Sequence, residues 1–301
     1  MKVGIVGGGR WGQALARLVL AAGNEPFIAY QGKRPPHILP STDDPPQVAA
    51  ECELLLVATS AAEVRASIRL VKPGSQNLIV VAGRGLDPVT GDWLTDAVLQ
   101  ECDTVRVGAL AGPAPVEEIL NGGLCAGLIA SRDEALRQMA VTALHSPRYR
   151  CYETPDLTGV QLAGAVVPVL AALVGLALNL GGAGVGIHAM VLTRGLAEAT
   201  RLGNAIGADP ATFMGLAGVG DLVAAQARPG HPHYDVGKAL ASGHPPHGSG
   251  PEQLARALHK LAQMHGVDVP LISAIVGICD GMPPVDAVQR LMMREAKVET
   301  R

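Results

Sequence analysis

The stretch Met1 to Ala16, MKVGIVGGGRWGQALA, decides the fold. Lys2 to Val6 alternates and then runs apolar like a short buried strand, and Gly7, Gly9 and Gly12 follow at GxGxxG spacing before a helical run begins. Each glycine has its own steric reason. Gly7 lets the strand turn sharply, Gly9 leaves room for a diphosphate against the backbone, and Gly12 lets the helix pack on the strand. The helix carries Ala14, Leu15, Leu18 and Val19 on one face and aims its N-terminal N–H groups and positive dipole end at the anion. Arg10 and Trp11 sit inside the loop, against the same ligand. The expectation is a dinucleotide site.

Moving outward, Gly23 and Asn24 turn the chain into a second strand, Glu25 to Tyr30, followed by Gln31, Gly32, Lys33 and Arg34. In a dinucleotide fold an acidic residue here accepts from the ribose 2′-hydroxyl of NAD. None is present, and Lys33 and Arg34 instead offer positive charge where NADP carries its extra phosphate, so the reading favours NADP over NAD. Pro35 to Pro46 is proline-rich and aperiodic, a surface connection. Leu54 to Ala58 is a buried strand whose end brings Thr59 and Ser60 over the cofactor, and Ala61 to Leu70 is a helix. Leu78 to Ala82, Val105 to Leu110, Leu124 to Ala130 and Arg148 to Glu153 are further strands, with a helix around Asp92 to Leu99. Strands alternating with helices predict a parallel, doubly wound, Rossmann-type sheet with ligands at the carboxyl ends of its strands.

Past Pro155 the strand signal stops, so the expected domains are residues 1–153, binding the dinucleotide, and 154–301, all-helical. Thr158 to Ile187 has no charged residue, and Leu162 to Leu178 is almost wholly apolar. Gly164, Pro168 and Gly175, and the lack of basic flanks, favour a central buried helix over a membrane span. Helices follow at Met190 to Leu202, Pro210 to Leu216, Gln253 to His265, Pro270 to Asp280 and Val285 to Arg294. Arg228 to Pro251, rich in glycine, proline and histidine, is read as a mobile loop.

The 301 residues are 48% hydrophobic and 17% charged, enough to bury a sizeable core and to exclude disorder. A net charge of -3 without blocks of like charge gives no nucleic-acid track and points to a small-molecule substrate. Five cysteines without a CxxC pair indicate a reducing compartment and no thiolate metal site. Met1 leads directly into a strand, leaving no room for a signal peptide, and the expected location is the cytoplasm. In the glycine-rich segment, the spacings of His231, His233, His244 and His247 permit a divalent metal, but the glycine and proline neighbours favour a solvated loop without one.

Taken together, the motifs resemble the bacterial NAD(P)-dependent glycerol-3-phosphate dehydrogenases. The matches are Gly7 to Gly12 with Trp11 between, Arg84-Gly85-Leu86-Asp87-Pro88, Gly112-Pro113, Thr154-Pro155-Asp156 through Gly164, Thr193 to Glu198, Ala208 to Phe213 and Gly218 to Leu222, in family order over nearly the whole chain. The resemblance implies hydride transfer between nicotinamide and C2 of dihydroxyacetone phosphate, a lysine that handles the proton, and an arginine–asparagine pair that holds the phosphate. It also implies departures. Val167 and Pro168 stand at the positions of the proton-handling lysine and a following asparagine, Gly186 at a second asparagine, Pro232 and His233 near the phosphate clamp, Ala225 at a threonine, Arg84 at a lysine beside the nicotinamide, and Gly250 near a glutamate that clasps the cofactor. Asp221 survives as a polar group of the site, or else is a helix N-cap. His188, beyond the lost asparagine, is a candidate acid near neutral pH or a structural histidine, and Arg194 joins the cofactor set. A homodimer through the helical half is the expected assembly. The departures also admit a second reading, a dinucleotide-binding module without turnover.

Overall fold

The computed structural model describes residues 1–32, 39–87, 89–181, 184–226, 232–243 and 250–295. Two compact units divide the chain: Met1–Gly164 with Gly207–Ala224, and Ala165–Ile206 with Ala225–Arg301. The first unit therefore takes in the start of the long central helix and a later helical segment, both placed beyond residue 153 by the sequence pattern.

The first unit runs β1 (Lys2–Val6), α1 (Arg10–Ala21), β2 (Glu25–Ala29), β3 (Ser41–Thr42), α2 (Pro45–Glu51), β4 (Leu54–Val57), α3 (Val64–Val71), β5 (Leu78–Val81), α4 (Leu94–Leu99), β6 (Val107–Ala111), α5 (Val116–Leu120), β7 (Cys125–Ala130), α6 (Glu134–Leu144) and β8 (Tyr149–Thr154). The eight strands form one sheet in the order β3-β2-β1-β4-β5-β6-β7-β8. Side chains alternate across it. Leu54 and Leu56 of β4 join the core beneath α1 and α6, while Leu55 and Val57 join the core beneath α2, α3 and α4. A sheet buried on both faces explains why its strands read as continuous apolar runs.

Two expectations change here. β7 runs antiparallel to β6, whereas the alternation of elements predicted parallel strands throughout. The connection between them, residues 112–124, holds only the five-residue α5. The proline-rich connection is also not wholly irregular, since β3 pairs with the end of β2 and α2 starts at Pro45, where a missing N–H is no loss.

The central helix α7 (Leu157–Asn179) follows, then α8 (Val185–Ala205), α9 (Pro210–Met214), α10 (Asp221–Gln226), α11 (Pro232–Ala241), α12 (Gly250–Met264), α13 (Pro270–Cys279) and α14 (Pro284–Met292). The most apolar window of α7 is long enough to cross a membrane, yet 94% of it is buried inside the protein. The segment read as a mobile loop contains α11 and the start of α12. Its glycine serves packing: a Cβ on Gly237 would stand 1.8 Å from the Ala172 carbonyl oxygen of α7. His233 and Tyr234 lie on α11, while His231, His244 and His247 fall outside the described residues.

Candidate dinucleotide cleft and the Arg84–Asp221 pair

β1 ends at Val6 and the chain turns at Gly7, whose φ of +116° is open to glycine and strained for other residues. The Gly7 N–H donates to the Ala29 carbonyl at 2.9 Å, fixing the turn against β2. A Cβ on Gly12 would sit 1.9 Å from the Gly7 carbonyl oxygen, so α1 reaches the loop only because that position is bare. A Cβ on Gly9 would meet nothing within 4 Å, and no side chain caps the helix there. The space in front of the first turn is thus open, and the N–H groups facing it lack partners within the helix. These residues border a cleft of about 440 Å³ walled by Gly7, Gly8, Gly9, Tyr30, Thr59 and Ser60 among others. A bare cradle and a helix start beside a cleft fit a dinucleotide diphosphate.

The loop is braced from outside. Trp11 Nε1 donates to the Ala82 carbonyl at 2.8 Å, tying α1 to the end of β5. Arg10, at the start of α1, has the unfavourable sign for the helix dipole, and its Nε donates to Glu117 of α5 at 3.0 Å. Ser60 Oγ donates to Glu63 at 2.6 Å and its N–H to the same carboxylate at 3.2 Å. Both polar groups of Ser60 are thereby engaged with the chain itself. Lys33 and Arg34 lie outside the described residues.

Beyond β5, Arg84 reaches Asp221, the first residue of α10, with Nη1 2.6 Å from Oδ2. Its Nη2 donates to the Gly112 carbonyl at the end of β6, 2.9 Å away. The Asp221 side chain is 3% exposed and that of Arg84 36%, so one end of the pair is buried and the other faces outward. Asp221 is αR in conformation and heads the helix without acting as its N-cap. Arg84 and Asp221, 137 positions apart in sequence, meet in this ion pair.

The loop carrying Arg84 is pinned by a group the sequence reading missed. Arg65 of α3 bonds Asp87 at 2.5 Å, Asp92 at 2.9 Å and Glu101 at 3.1 Å. Burial pushes the Asp87 carboxyl up, but the Arg65 guanidinium and the N–H groups of Val89 and Thr90 outweigh it and hold the acid below its usual range. No spacing rule links residues 65 and 87, so only the folded sheet reveals the clasp.

In the second unit, Val167 is buried in α7, and His188 lies in the first turn of α8. Arg194 lines a separate cavity of that unit with Glu198 and Arg201 and is not among the residues walling the glycine-loop cleft. Glu198 is the second missed group. Its buried carboxylate accepts from the N–H groups of Leu271 at 2.8 Å and Ile272 at 3.4 Å, where α13 begins. Burial pushes its pKa up to about 7 against those two bonds.

Comparison with known proteins agrees over the full length. The family models for the NAD-dependent glycerol-3-phosphate dehydrogenase N-terminus and C-terminus match residues 29–137 and 156–289. A glycerol-3-phosphate dehydrogenase, NAD(P)+, of Janthinobacterium sp. (strain Marseille) is 35% identical, with 99% of each chain covered. The protein of the same name from Streptomyces coelicolor is 31% identical over 100% of this chain and 99% of its own. A solved structure, the glycerol-3-phosphate dehydrogenase of Coxiella burnetii, superposes with a TM-score of 0.86 at 24% identity, covering 97% of this chain and 99% of that one. With relatives above 30% identity matched end to end, the chain belongs to the NAD-dependent glycerol-3-phosphate dehydrogenase family.

Proposed function

We propose that this chain is an NAD(P)-dependent oxidoreductase that moves hydride between the nicotinamide and a small carbonyl or hydroxyl compound, with dihydroxyacetone phosphate and glycerol 3-phosphate as the first pair to test. The glycine loop carries the reading: the open space at Gly9, in front of an uncapped helix start, suits a diphosphate. The bound dinucleotide supplies the hydride acceptor or donor. Gly7, Gly9, Gly12 and the first turn of α1 hold its diphosphate, with Arg10 and Trp11 bracing the turn. Thr59 and Ser60 form the wall, and Lys33 and Arg34 receive the 2′-phosphate when the cofactor is NADP.

Arg84 orients the substrate oxygen. Its guanidinium is held on one side by Asp221 and Gly112, leaving further N–H donors to polarise a carbonyl or hold an anion. A guanidinium stays charged and delivers no proton. Val167 delivers none either, where the family resemblance implies a lysine, so His188 is assigned the proton. Loss of a positioned acid or base forfeits roughly 10²–10⁴-fold in rate, so turnover of dihydroxyacetone phosphate is slow. Cys52, Cys102, Cys125, Cys151 and Cys279 form no disulfide among the described residues, which supports a cytoplasmic protein. A homodimer through the helical unit is part of the same proposal.

Calorimetric titration with NADPH and NADH, followed by dihydroxyacetone phosphate and nicotinamide absorbance, tests the proposal. Saturable binding with slow oxidation of the cofactor is expected. Failure of both nucleotides to bind ends it. Substituting Val167→Lys raises turnover if the missing amine limits the rate, and His188→Ala abolishes it if the imidazole carries the proton.

A further inference from the structure

The motif Thr193 to Glu198 on α8 leaves one side chain without a structural task. Thr193 Oγ1 donates to the Ala189 carbonyl at 2.9 Å. A Cβ on Gly195 would stand 2.3 Å from Leu170, so the bare position lets α8 lie against α7. Glu198 holds the start of α13. Arg194, half-buried among them, makes no hydrogen bond or ion pair among the described residues. It faces a cavity of about 610 Å³ bounded by α8, the connection 266–270 and the end of α14.

The other cations of that cavity are already engaged. Arg201 Nη2 donates to the Asp268 carbonyl at 3.0 Å, and Arg294 pairs with the Asp268 carboxylate. Asp268 and Glu295 also line the walls and repel a second negative charge. One free planar fork therefore matches one singly charged, planar anion. The remaining surface is apolar, contributed by Met190, Val267, Leu271, Leu291 and Met292, and the volume lies in the range of small-molecule sites.

We propose that this cavity binds an organic carboxylate: Arg194 grips the carboxylate in a bidentate fork and the aliphatic body lies on Met190, Leu271 and Leu291. The site is built wholly within the helical unit and does not depend on the dinucleotide reading. Isothermal calorimetry on the intact protein with hexanoate, hexanol and inorganic phosphate tests it. Hexanoate is expected to saturate a single site, with hexanol and phosphate about tenfold or more weaker. Arg194→Ala should weaken hexanoate by about tenfold or more, and Arg194→Lys should recover part of the loss, since an ammonium keeps the charge without the fork. Absence of saturable hexanoate binding, equal affinity in Arg194→Ala, or phosphate binding as tightly as hexanoate overturns the proposal. Circular dichroism checks that each variant is folded, and Arg194→Gln replaces Arg194→Ala if the latter is not.

Discussion

The glycine loop between β1 and α1 and the Thr193–Glu198 face of α8 are both contiguous motifs, but they work in opposite ways. In the loop, what matters is the absence of side chains: Gly12 clears the Gly7 carbonyl and Gly9 leaves space open. On α8 each side chain acts separately, Glu198 on α13 and Arg194 on a cavity, while Gly195 admits Leu170. Backbone construction is local and rigid, so a change there has nowhere to relax. Side-chain construction spreads over distant partners, and its parts fail one at a time.

The severest test of that contrast is Gly12→Val. A Cβ 1.9 Å from a backbone oxygen cannot be accommodated by a rotamer change, and the overpacking should destabilise by about 3 kcal/mol or more. Dinucleotide titration should show affinity reduced beyond detection, and urea unfolding a lower midpoint. Retained binding would mean that the loop is not the cradle.

Arg65→Ala probes the side-chain kind of construction within the same unit. Asp87, 5% exposed at its side chain, would keep only the Val89 and Thr90 N–H groups, and a buried charge deprived of its partner costs about 3 kcal/mol. Unfolding midpoints should fall sharply, and Trp93, bridged to Leu86 in the pinned loop, should report the released loop by fluorescence. A drop smaller than about 1 kcal/mol would show that Asp87 does not depend on this guanidinium.

The same contrast explains what the sequence made legible. Steric demands on Gly7, Gly9 and Gly12 act between near neighbours, so spacing alone exposes them. The buried strands and the helices α7 to α9 and α12 to α14 follow from apolar patterning, which is likewise local. The Arg65 clasp and the Glu198 cap join residues 22 and 73 positions apart. No periodicity encodes such pairs. The antiparallel turn of β7 escaped for a related reason: strand direction depends on what a connection can span, and the apolar run in β7 is the same in either sense. Residues 232–241 were misjudged because glycine marks both loose chain and close helix contact, and Gly237 is of the second kind.

Glu198 turns the comparison into a pH experiment. Its folded pKa of about 7 lies above the ordinary 4.5, so between those values the folded chain keeps a proton that the unfolded chain has released. Stability from this group is therefore greatest below about pH 4.5 and declines as pH rises to about 7, by roughly 3 kcal/mol in all. Glu198→Gln should remove that slope while leaving the opposite contribution of Asp87 at lower pH untouched. The difference between wild-type and variant urea midpoints across pH 4.5 to 7 isolates it. Parallel profiles would show that the carboxyl is ionised throughout.

The smallest effect belongs to Ser60, and it bears on how far backbone construction extends along the cleft. Ser60 forms part of the wall, and a hydroxyl there looks suited to a phosphate or ribose. Its Oγ and N–H are both committed to Glu63, however, in an arrangement that stabilises the start of the turn leading into α3. Ser60→Ala should thus lower stability by about 1 kcal/mol through the lost cap, yet change dinucleotide affinity by less than about threefold, because the ligand would meet the same surface. A tenfold loss of affinity with unchanged stability would reverse that assignment: the hydroxyl would then leave Glu63 for the ligand, and the cleft would owe part of its grip to side chains.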